Sequence, residues 1–445
     1  MNLHHALRDR EAQGAPIRVG VIGAGRFGTM FLAHVHTTPG IHVVGIADLN
    51  VERAREALRL AEWPQDEYAA SLEEALRSGG TTVLDDAGAL IDADVDVIVE
   101  ATGNPIVGID HALRTIEAGH DIVMVNVEAD ALAGPALAAR ARSVGVVYSL
   151  AYGDQPALIC ELIDWARTSG FELVCAGKGA KYLPHYHGLN PDNVWDAWEF
   201  SPELTGSGQL SPTMHTSFRD GTKAAIEMAA VANTAGLLPA DGGLKFPPAS
   251  NSDLASICRP VEDGGTLERW PTVEVVSSVD LDGNWLPDHL QEGVFVVVKA
   301  PNEYVRSCMA EYAWKADDTH QYVALYRTQH FVGLELNISI ASAAVRREPT
   351  GAPIGFAADV VAVAKKPLRA GDVLDGEGGF AVWGRLAPAE LSLSQGALPV
   401  GLAHGVPLVR DVAEGDVVSW DDVDIDMSSQ AVVIRKEAEA LGVAV

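Results

Sequence analysis

The chain has 445 residues, 48% of them hydrophobic, which is room for two to four domains at roughly 100–200 residues each. Its 61 acidic residues against 32 basic ones give a formal net charge of −29, which repels a phosphate backbone or an anionic bilayer and argues against nucleic-acid and membrane partners. Cys160, Cys175, Cys258 and Cys308 are scattered without C-x-x-C spacing, so neither a zinc knuckle nor a disulfide framework is expected.

The N-terminal segment MNLHHALRDREAQG has no apolar run of signal-peptide length, and no stretch approaches the roughly 18 apolar residues of a membrane span. A cytoplasmic location is expected. From Ile17 to about Leu150, short apolar runs alternate with amphipathic stretches, the pattern of strand–helix–strand units on a parallel sheet. Strands are predicted at IRVGVIG from Ile17, HVVGIAD from His42, VDVIVEAT from Val95, DIVMVNV from Asp121 and GVVYSL from Gly145. Helices are predicted at VERAREALRLAE from Val51 and at GIDHALRTIEAG from Gly108, the second closed by Gly119. The fold class is α/β, opening with a doubly wound sheet over residues 17–150.

Past Ala151 come a helical stretch, PALICELIDWARTSG, and a strand, FELVCAGKG. A long loop follows from Lys181 to Thr213, of the kind that serves as a lid or binding loop. TMHTSF then reads as a strand and DGTKAAIEMAAVANTAGL as a turn and helix, with further strands at GVFVVVKA from Gly293 and YVALYRT from Tyr322. This makes residues 151–350 a mixed α/β substrate domain. In the last part, 351–430, KPLRAGDVL from Lys366 and RDVAEGDVV from Arg410 align at an offset of 44 residues, and each copy carries a Gly-Asp turn before an apolar pair. Duplicated small β units are implied.

Gly23-Ala24-Gly25-Arg26-Phe27-Gly28 stands directly between the first strand and a helix. The first glycine permits the tight turn, the second lets a pyrophosphate approach the backbone, and the third allows close helix–strand packing. Dinucleotide binding is therefore predicted. Asp48, ending the second strand, is placed to accept hydrogen bonds from an adenosine 2′-hydroxyl and to repel a 2′-phosphate, which favours NAD and leaves NADP as second choice. The competing reading makes Asp48 a cap for the helix near Val51, and Arg53 and Arg55 beside it could soften the repulsion. Thr102 and Gly103 in ATGNP, and Asn126 and Glu128 after the fifth strand, border the cofactor crevice.

On the substrate side, Lys178 in AGKGAK could neutralise a developing alkoxide or hold a substrate anion, with Lys181 three positions on. Lys223 and Glu227 fall four apart on one helical face, with Asp220 just before them. An intrahelical salt bridge is the simpler alternative for that pair. Asp154 is a candidate that a helix cap explains equally well. A divalent metal is conceivable, on His185 and His187 or on Glu128, Asp154 and Glu227, although no spacing is diagnostic.

GAGRFG, ATGNP and VNVEAD resemble the cofactor domain of homoserine dehydrogenases. VNVEAD, YSLAYGDQP, AGKG and DGTKAAIEMAAVANTAGL are similar to a subgroup of 1-deoxy-D-xylulose 5-phosphate reductoisomerase-like oxidoreductases. VAVAKKPLRAGDVL and PLVRDVAEGDVV look like the SAF β-clip module. The resemblance implies a Rossmann cofactor domain, an α/β substrate domain whose sheet forms a dimer interface in a homodimer or higher homo-oligomer, and a C-terminal β-clip. It also implies NAD(P)-dependent hydride transfer on a small polyhydroxylated carbonyl compound: a sugar, sugar acid or sugar phosphate. The alternatives are metal-assisted reductoisomerisation with NADPH, and a non-enzymatic dinucleotide sensor.

Overall fold

The computed structural model describes residues 2–206, 210–312 and 314–442; three residues of the long loop, 207–209, lie outside this set. The fold is α/β. The chain forms two compact units, one of residues up to Leu158 with His330–Ile354 and one of Ile159–Gln329 with Gly355 onward. Where the sequence suggests linear divisions at 150 and 350, the units are interleaved.

The first unit is built on six parallel strands: β1 (Ile17–Ile22), β2 (Ile41–Ala47), β3 (Thr82–Leu84), β4 (Val97–Glu100), β5 (Asp121–Met124) and β6 (Tyr148–Leu150). Their spatial order is β3-β2-β1-β4-β5-β6. The order reverses between β1 and β4, so the loops after these two strands flank the crevice at the carboxyl edge, where open α/β sheets bind ligands. The helices that set this edge are α1 (Arg26–Val35), α2 (Val51–Leu60), α3 (Pro105–Ala118) and α4 (Val127–Val144). One apolar cluster joins Val19, Val21, Phe31 and Val99 to Leu336 and Ile340 of the returning segment. That segment is also tied by hydrogen bonds from the Leu150 N–H to the Gly351 carbonyl (2.7 Å) and from the Tyr152 N–H to Ser339 Oγ (2.8 Å).

Two readings of this unit need correction. DIVMVNV stops being a strand at Met124, because Asn126 caps α4 by accepting the Ala129 N–H at 3.0 Å. The short edge strand β3 falls outside the strands expected from sequence.

In the second unit, β7 (Glu172–Ala180), β8 (Thr272–Ser277), β9 (Val294–Lys299) and β10 (Tyr322–Arg327) form a mixed sheet in the order β10-β9-β7-β8, with β7 and β8 parallel. α5 (Gln155–Thr168) leads into it. TMHTSF is not a strand but the body of α6 (Pro212–Asp220). Ser211 accepts the Met214 N–H at 3.3 Å and Pro212 opens the first turn, so the Ser-Pro start signal outweighs the β-branched threonines. Gly221, at φ +95°, ends α6 and begins α7 (Thr222–Ala235).

The last segment supplies two antiparallel pairs, β11 (Ala358–Ala364) with β13 (Val382–Pro388) and β12 (Val373–Asp375) with β14 (His404–Pro407). The 44-residue repeat is realised as a local pseudo-twofold. Leu368 and Val412, equivalent positions of the two copies, exchange backbone hydrogen bonds at 2.9 and 3.0 Å. The Gly371-Asp372 turn brackets Leu408 through two such bonds, and the Gly415-Asp416 turn brackets Ala364 in the same way. Helix α8 (Gln430–Ala440) closes the unit, with Arg435 fully buried against Asp359 of β11 at 2.6 Å. Among the described residues no helix is long and apolar enough to cross a membrane.

Candidate active site

The glycine fingerprint takes the shape a dinucleotide requires. Gly23 sits at φ +100°, and a Cβ there would lie 2.6 Å from the Ala101 carbonyl; one on Gly28 would lie 2.5 Å from the Gly23 carbonyl. Gly25 faces open space and caps α1 without a side chain, so the N–H groups of the helix terminus are free for a pyrophosphate. Arg26 is exposed at the first helical position and Phe27 is half-buried behind it. A cavity of about 520 Å³ opens beside the end of β2, lined by Leu49, Asp86, Ile91, His111 and Arg114 among others.

Asp48 is buried at that end, and its carboxylate is already engaged. Its Oδ2 accepts the Ala24 N–H of the glycine loop at 2.8 Å, and its Oδ1 accepts the Asn50 N–H at 2.8 Å. Arg53 of α2 adds a forked ion pair, with Nη2 2.8 Å from both oxygens. Burial pushes the carboxyl pKa up, but the Ala24, Arg53 and Asn50 hydrogen bonds outweigh it and hold the group below its ordinary value. The cap of α2 is Asn50, which accepts the Arg53 N–H, so the reading of Asp48 as a mere helix cap fails. Arg55 pairs with Glu52 at 2.5 Å.

Thr102 and Gly103 lie in the loop after β4, where Gly103 is left-handed at φ +72°. The Thr102 hydroxyl donates to Glu100 Oε1 at 2.5 Å, and His111 Nδ1 stands 3.3 Å from the same oxygen. Glu100 is wholly buried, and its other oxygen has no partner among the described residues. Asn126, expected against the cofactor, has a different use: besides capping α4, its Nδ2 donates to the Asn104 carbonyl at 2.9 Å. These bonds shape the crevice loop. Glu128 is half-buried in the first turn of α4.

In the second unit the structure joins two of the predicted groups. Lys178, on β7, forms a buried ion pair with Glu227 of α7. The glycines of AGKGAK explain this placement. A Cβ on Gly177 would stand 1.8 Å from the Glu274 carbonyl and one on Gly179 2.0 Å from the Leu290 carbonyl. Neighbouring backbone crowds one face of β7, and alternation sends Lys178 to the other. Lys223 lies one turn before Glu227 on the same helix. Lys181 follows the strand end, with Nζ 3.1 Å from Glu199 and 5.0 Å from the centre of the Trp285 ring.

Asp220 does not join this group. It is fully buried, 2.8 Å from Lys365 Nζ, and that ammonium also donates to the carbonyls of Leu189 (2.6 Å) and Gly379 (2.9 Å). Burial raises the Asp220 pKa against the pull of Lys365. The pair anchors the C-terminal segment to the α6–α7 junction. Its signal in sequence was the doubled lysine of KKPLRAGDVL, which nothing local connected to Asp220.

The histidines and Asp154 named as metal candidates have the following surroundings. Both His187 nitrogens are taken, Nε2 by the Tyr182 hydroxyl and Nδ1 by the Asp220 carbonyl, each at 2.7 Å. His185 is exposed, and Asp154 accepts the Gln155 N–H at the start of α5. Among the described residues no three His, Cys, Asp or Glu side chains are grouped to hold an ion.

The first unit is thus a doubly wound sheet with the glycine loop after β1, and the second holds a buried lysine–glutamate pair. Residues 17–126 match the family model for the NAD-binding Rossmann fold of an oxidoreductase family, GFO_IDH_MocA, and residues 153–336 match the catalytic domain of oxidoreductase DRL. Each of the two segments is thus similar to part of an oxidoreductase, the first to an NAD-binding Rossmann domain and the second to a catalytic domain.

No curated protein matches the chain. Solved structures similar to it include myo-inositol dehydrogenase from Lactobacillus casei in complex with NAD(H) and myo-inositol (17% identity, 40% of this chain and 50% of that one, TM-score 0.27). Others are a myo-inositol dehydrogenase from Corynebacterium glutamicum (18%, 40% and 48%, TM-score 0.27) and a 3-ketoreductase from Actinomadura kijaniata in complex with NADP (20%, 37% and 49%, TM-score 0.24). The chain spans about half the length of these structures.

Proposed function

We propose that the protein transfers a hydride between NAD(P) and a small polyhydroxylated carbonyl compound, with Lys178 and Glu227 as the reacting pair. The observation that carries this is a buried ammonium–carboxylate pair, held by two obligatory glycines, inside the segment that matches an oxidoreductase catalytic domain. When bound, the nicotinamide accepts or delivers the hydride. In the reducing direction the Lys178 ammonium hydrogen-bonds the carbonyl oxygen, stabilises the alkoxide as negative charge develops, and passes it a proton. Glu227 holds the amine in position, and Lys223 orients neighbouring hydroxyls. Gly23, Gly25, Gly28, Thr102 and Gly103 form the cofactor cradle in this reading.

The C-terminal strands with their 44-residue pseudo-twofold support a SAF-type β-clip, and the resemblance to homoserine dehydrogenases supports a homodimer or higher homo-oligomer; a cytoplasmic location is proposed from the N-terminal sequence. A second reading, carbon-skeleton rearrangement before NADPH reduction, is favoured by one observation: Arg53 meets the Asp48 charge that would otherwise repel a 2′-phosphate.

The test is Lys178→Met, assayed for turnover over a panel of polyols, sugar acids and sugar phosphates with NAD and NADP separately, and for NADH binding by fluorescence. The expected outcome is a kcat loss of roughly 10²- to 10⁴-fold with little change in NADH affinity. Equal loss of cofactor affinity would show that Lys178 serves the dinucleotide instead.

A further inference from the structure

Besides Lys181 and the reacting pair, the second unit's candidates to meet an anionic substrate include Arg219, Lys245, Arg259 and Arg269. Three are matched to carboxylates, Lys245 to Glu268 at 2.7 Å, Arg259 to Asp317 and Asp318 at 2.5 and 2.7 Å, and Arg269 to Asp241 at 3.3 Å. Arg219 has no carboxylate at ion-pair distance among the described residues. It is only 6% exposed, on the last turn of α6. Its Nε donates to the Ala197 carbonyl at 3.3 Å and its guanidinium lies 3.7 Å over the Trp198 ring. Its terminal nitrogens donate to no described residue, and the buried indole N–H of Trp198 also lacks an acceptor there.

A buried indole N–H without an acceptor is costly to maintain unless something else supplies one, and the terminal nitrogens of Arg219 beside it have donor capacity to spare. The surroundings say what that would be. Glu199, largely exposed, accepts from Lys181 Nζ at 3.1 Å and from Trp285 Nε1 at 3.0 Å, and its charge is also felt at Arg219, as is that of Glu292. Lys181 and Arg219 thus share the charge of the solvent-facing Glu199. Burial holds the Arg219 pKa down, at about 10, so the group stays charged at neutral pH. Lys181 lies three residues beyond Lys178, or about 10 Å at strand rise, a span that flexible lysine side chains can match to a small sugar derivative of roughly four to six carbons.

We propose that Arg219 and Lys181, with the Trp198 N–H, form an anion subsite that takes the terminal carboxylate or phosphate of the substrate in place of Glu199. This rests on the proposed oxidoreductase reading for the position of the other, reacting end.

The experiment is titration calorimetry on the full chain saturated with NADH, using inorganic phosphate, D-gluconate and neutral D-sorbitol as probes. The expected result is that at least one anion binds about tenfold or more tightly than sorbitol. Arg219→Gln and Lys181→Gln should each weaken that anion about tenfold or more, as loss of a charge-assisted hydrogen bond does, with NADH affinity unchanged. Glu199→Gln should tighten it several-fold by removing the competing carboxylate. Preference for phosphate assigns a sugar phosphate, and preference for gluconate a sugar acid. Sorbitol binding as tightly as either anion, unchanged anion affinity in both Gln variants, or weaker binding in Glu199→Gln would overturn the subsite. Lys181 and Glu199 border solvent, so their variants decide the matter even if Arg219→Gln misfolds. Absence of NADH binding by the unaltered protein would count against the oxidoreductase reading alone.

Discussion

Asp48 was expected to choose the cofactor by offering a bare carboxylate to a ribose. The structure gives that carboxylate a second duty, since it accepts the Ala24 N–H and so holds the glycine loop, while Arg53 caps its outer side. The half-exposed Arg53 guanidinium is also placed to meet a 2′-phosphate at the same corner, as an arginine near this position does in NADP-binding Rossmann sites. Arg53→Ala is therefore expected to raise the Kd for NADP by roughly ten- to a hundredfold while moving that for NAD much less. Asp48→Ala should weaken both cofactors because it frees the loop. Dissociation constants from NADH and NADPH fluorescence check both; parallel losses in Arg53→Ala would mean that Arg53 only props Asp48.

At the scale of elements, the pairing of β7 with β8 places a second acid under strain. Glu274 of β8 is buried with only backbone donors for partners, the N–H groups of Lys245 (3.0 Å), Phe246 (3.4 Å) and Val275 (2.8 Å). Burial pushes its pKa up to about 7 despite these bonds, and burial does the same to Asp130 of α4, which has one Tyr148 hydroxyl. Both acids bind a proton more tightly folded than unfolded. Their contribution is full below the unfolded pKa and declines as pH rises, at up to about 1.4 kcal/mol per pH unit for each group between about 4.5 and 7. Denaturant unfolding across that window should show falling stability with rising pH, and Glu274→Gln should flatten the slope. A Glu274→Gln profile parallel to the unaltered protein would show that Glu274 is ionised throughout.

For the whole molecule, the division of the chain matters more than its order. Residues 330–354 belong to the first unit although some 170 residues separate them from it in sequence, and Leu336 and Ile340 lie in its apolar core. Saturation with NADH stabilises whatever unfolds with the cradle, by about 2.7 kcal/mol at a hundredfold excess over Kd. Hydrogen exchange monitored by mass spectrometry should therefore show added protection in 330–354 along with residues 17–150. Protection confined to the earlier residues would mean that the returning segment opens independently.

What the sequence determined was local. Strand runs, the fingerprint after β1, the Gly119 C-cap, the helix from Thr222 and the 44-residue repeat could be read because each is set by periodicity, capping or turn chemistry within a few residues. Lys178 and Glu227 could be singled out for their residue types in glycine-rich or apolar settings. Their pairing could not, because 49 residues separate Lys178 from Glu227 and only the packing of α7 brings them together. The same holds where expectation failed. Asp220, expected beside Lys223 and Glu227, became an anchor because Lys365 arrives from a distant part of the chain. Tertiary structure decided these outcomes because a buried charge or polar group must find its partner wherever the fold supplies one, and the sequence does not say which distant residue that is.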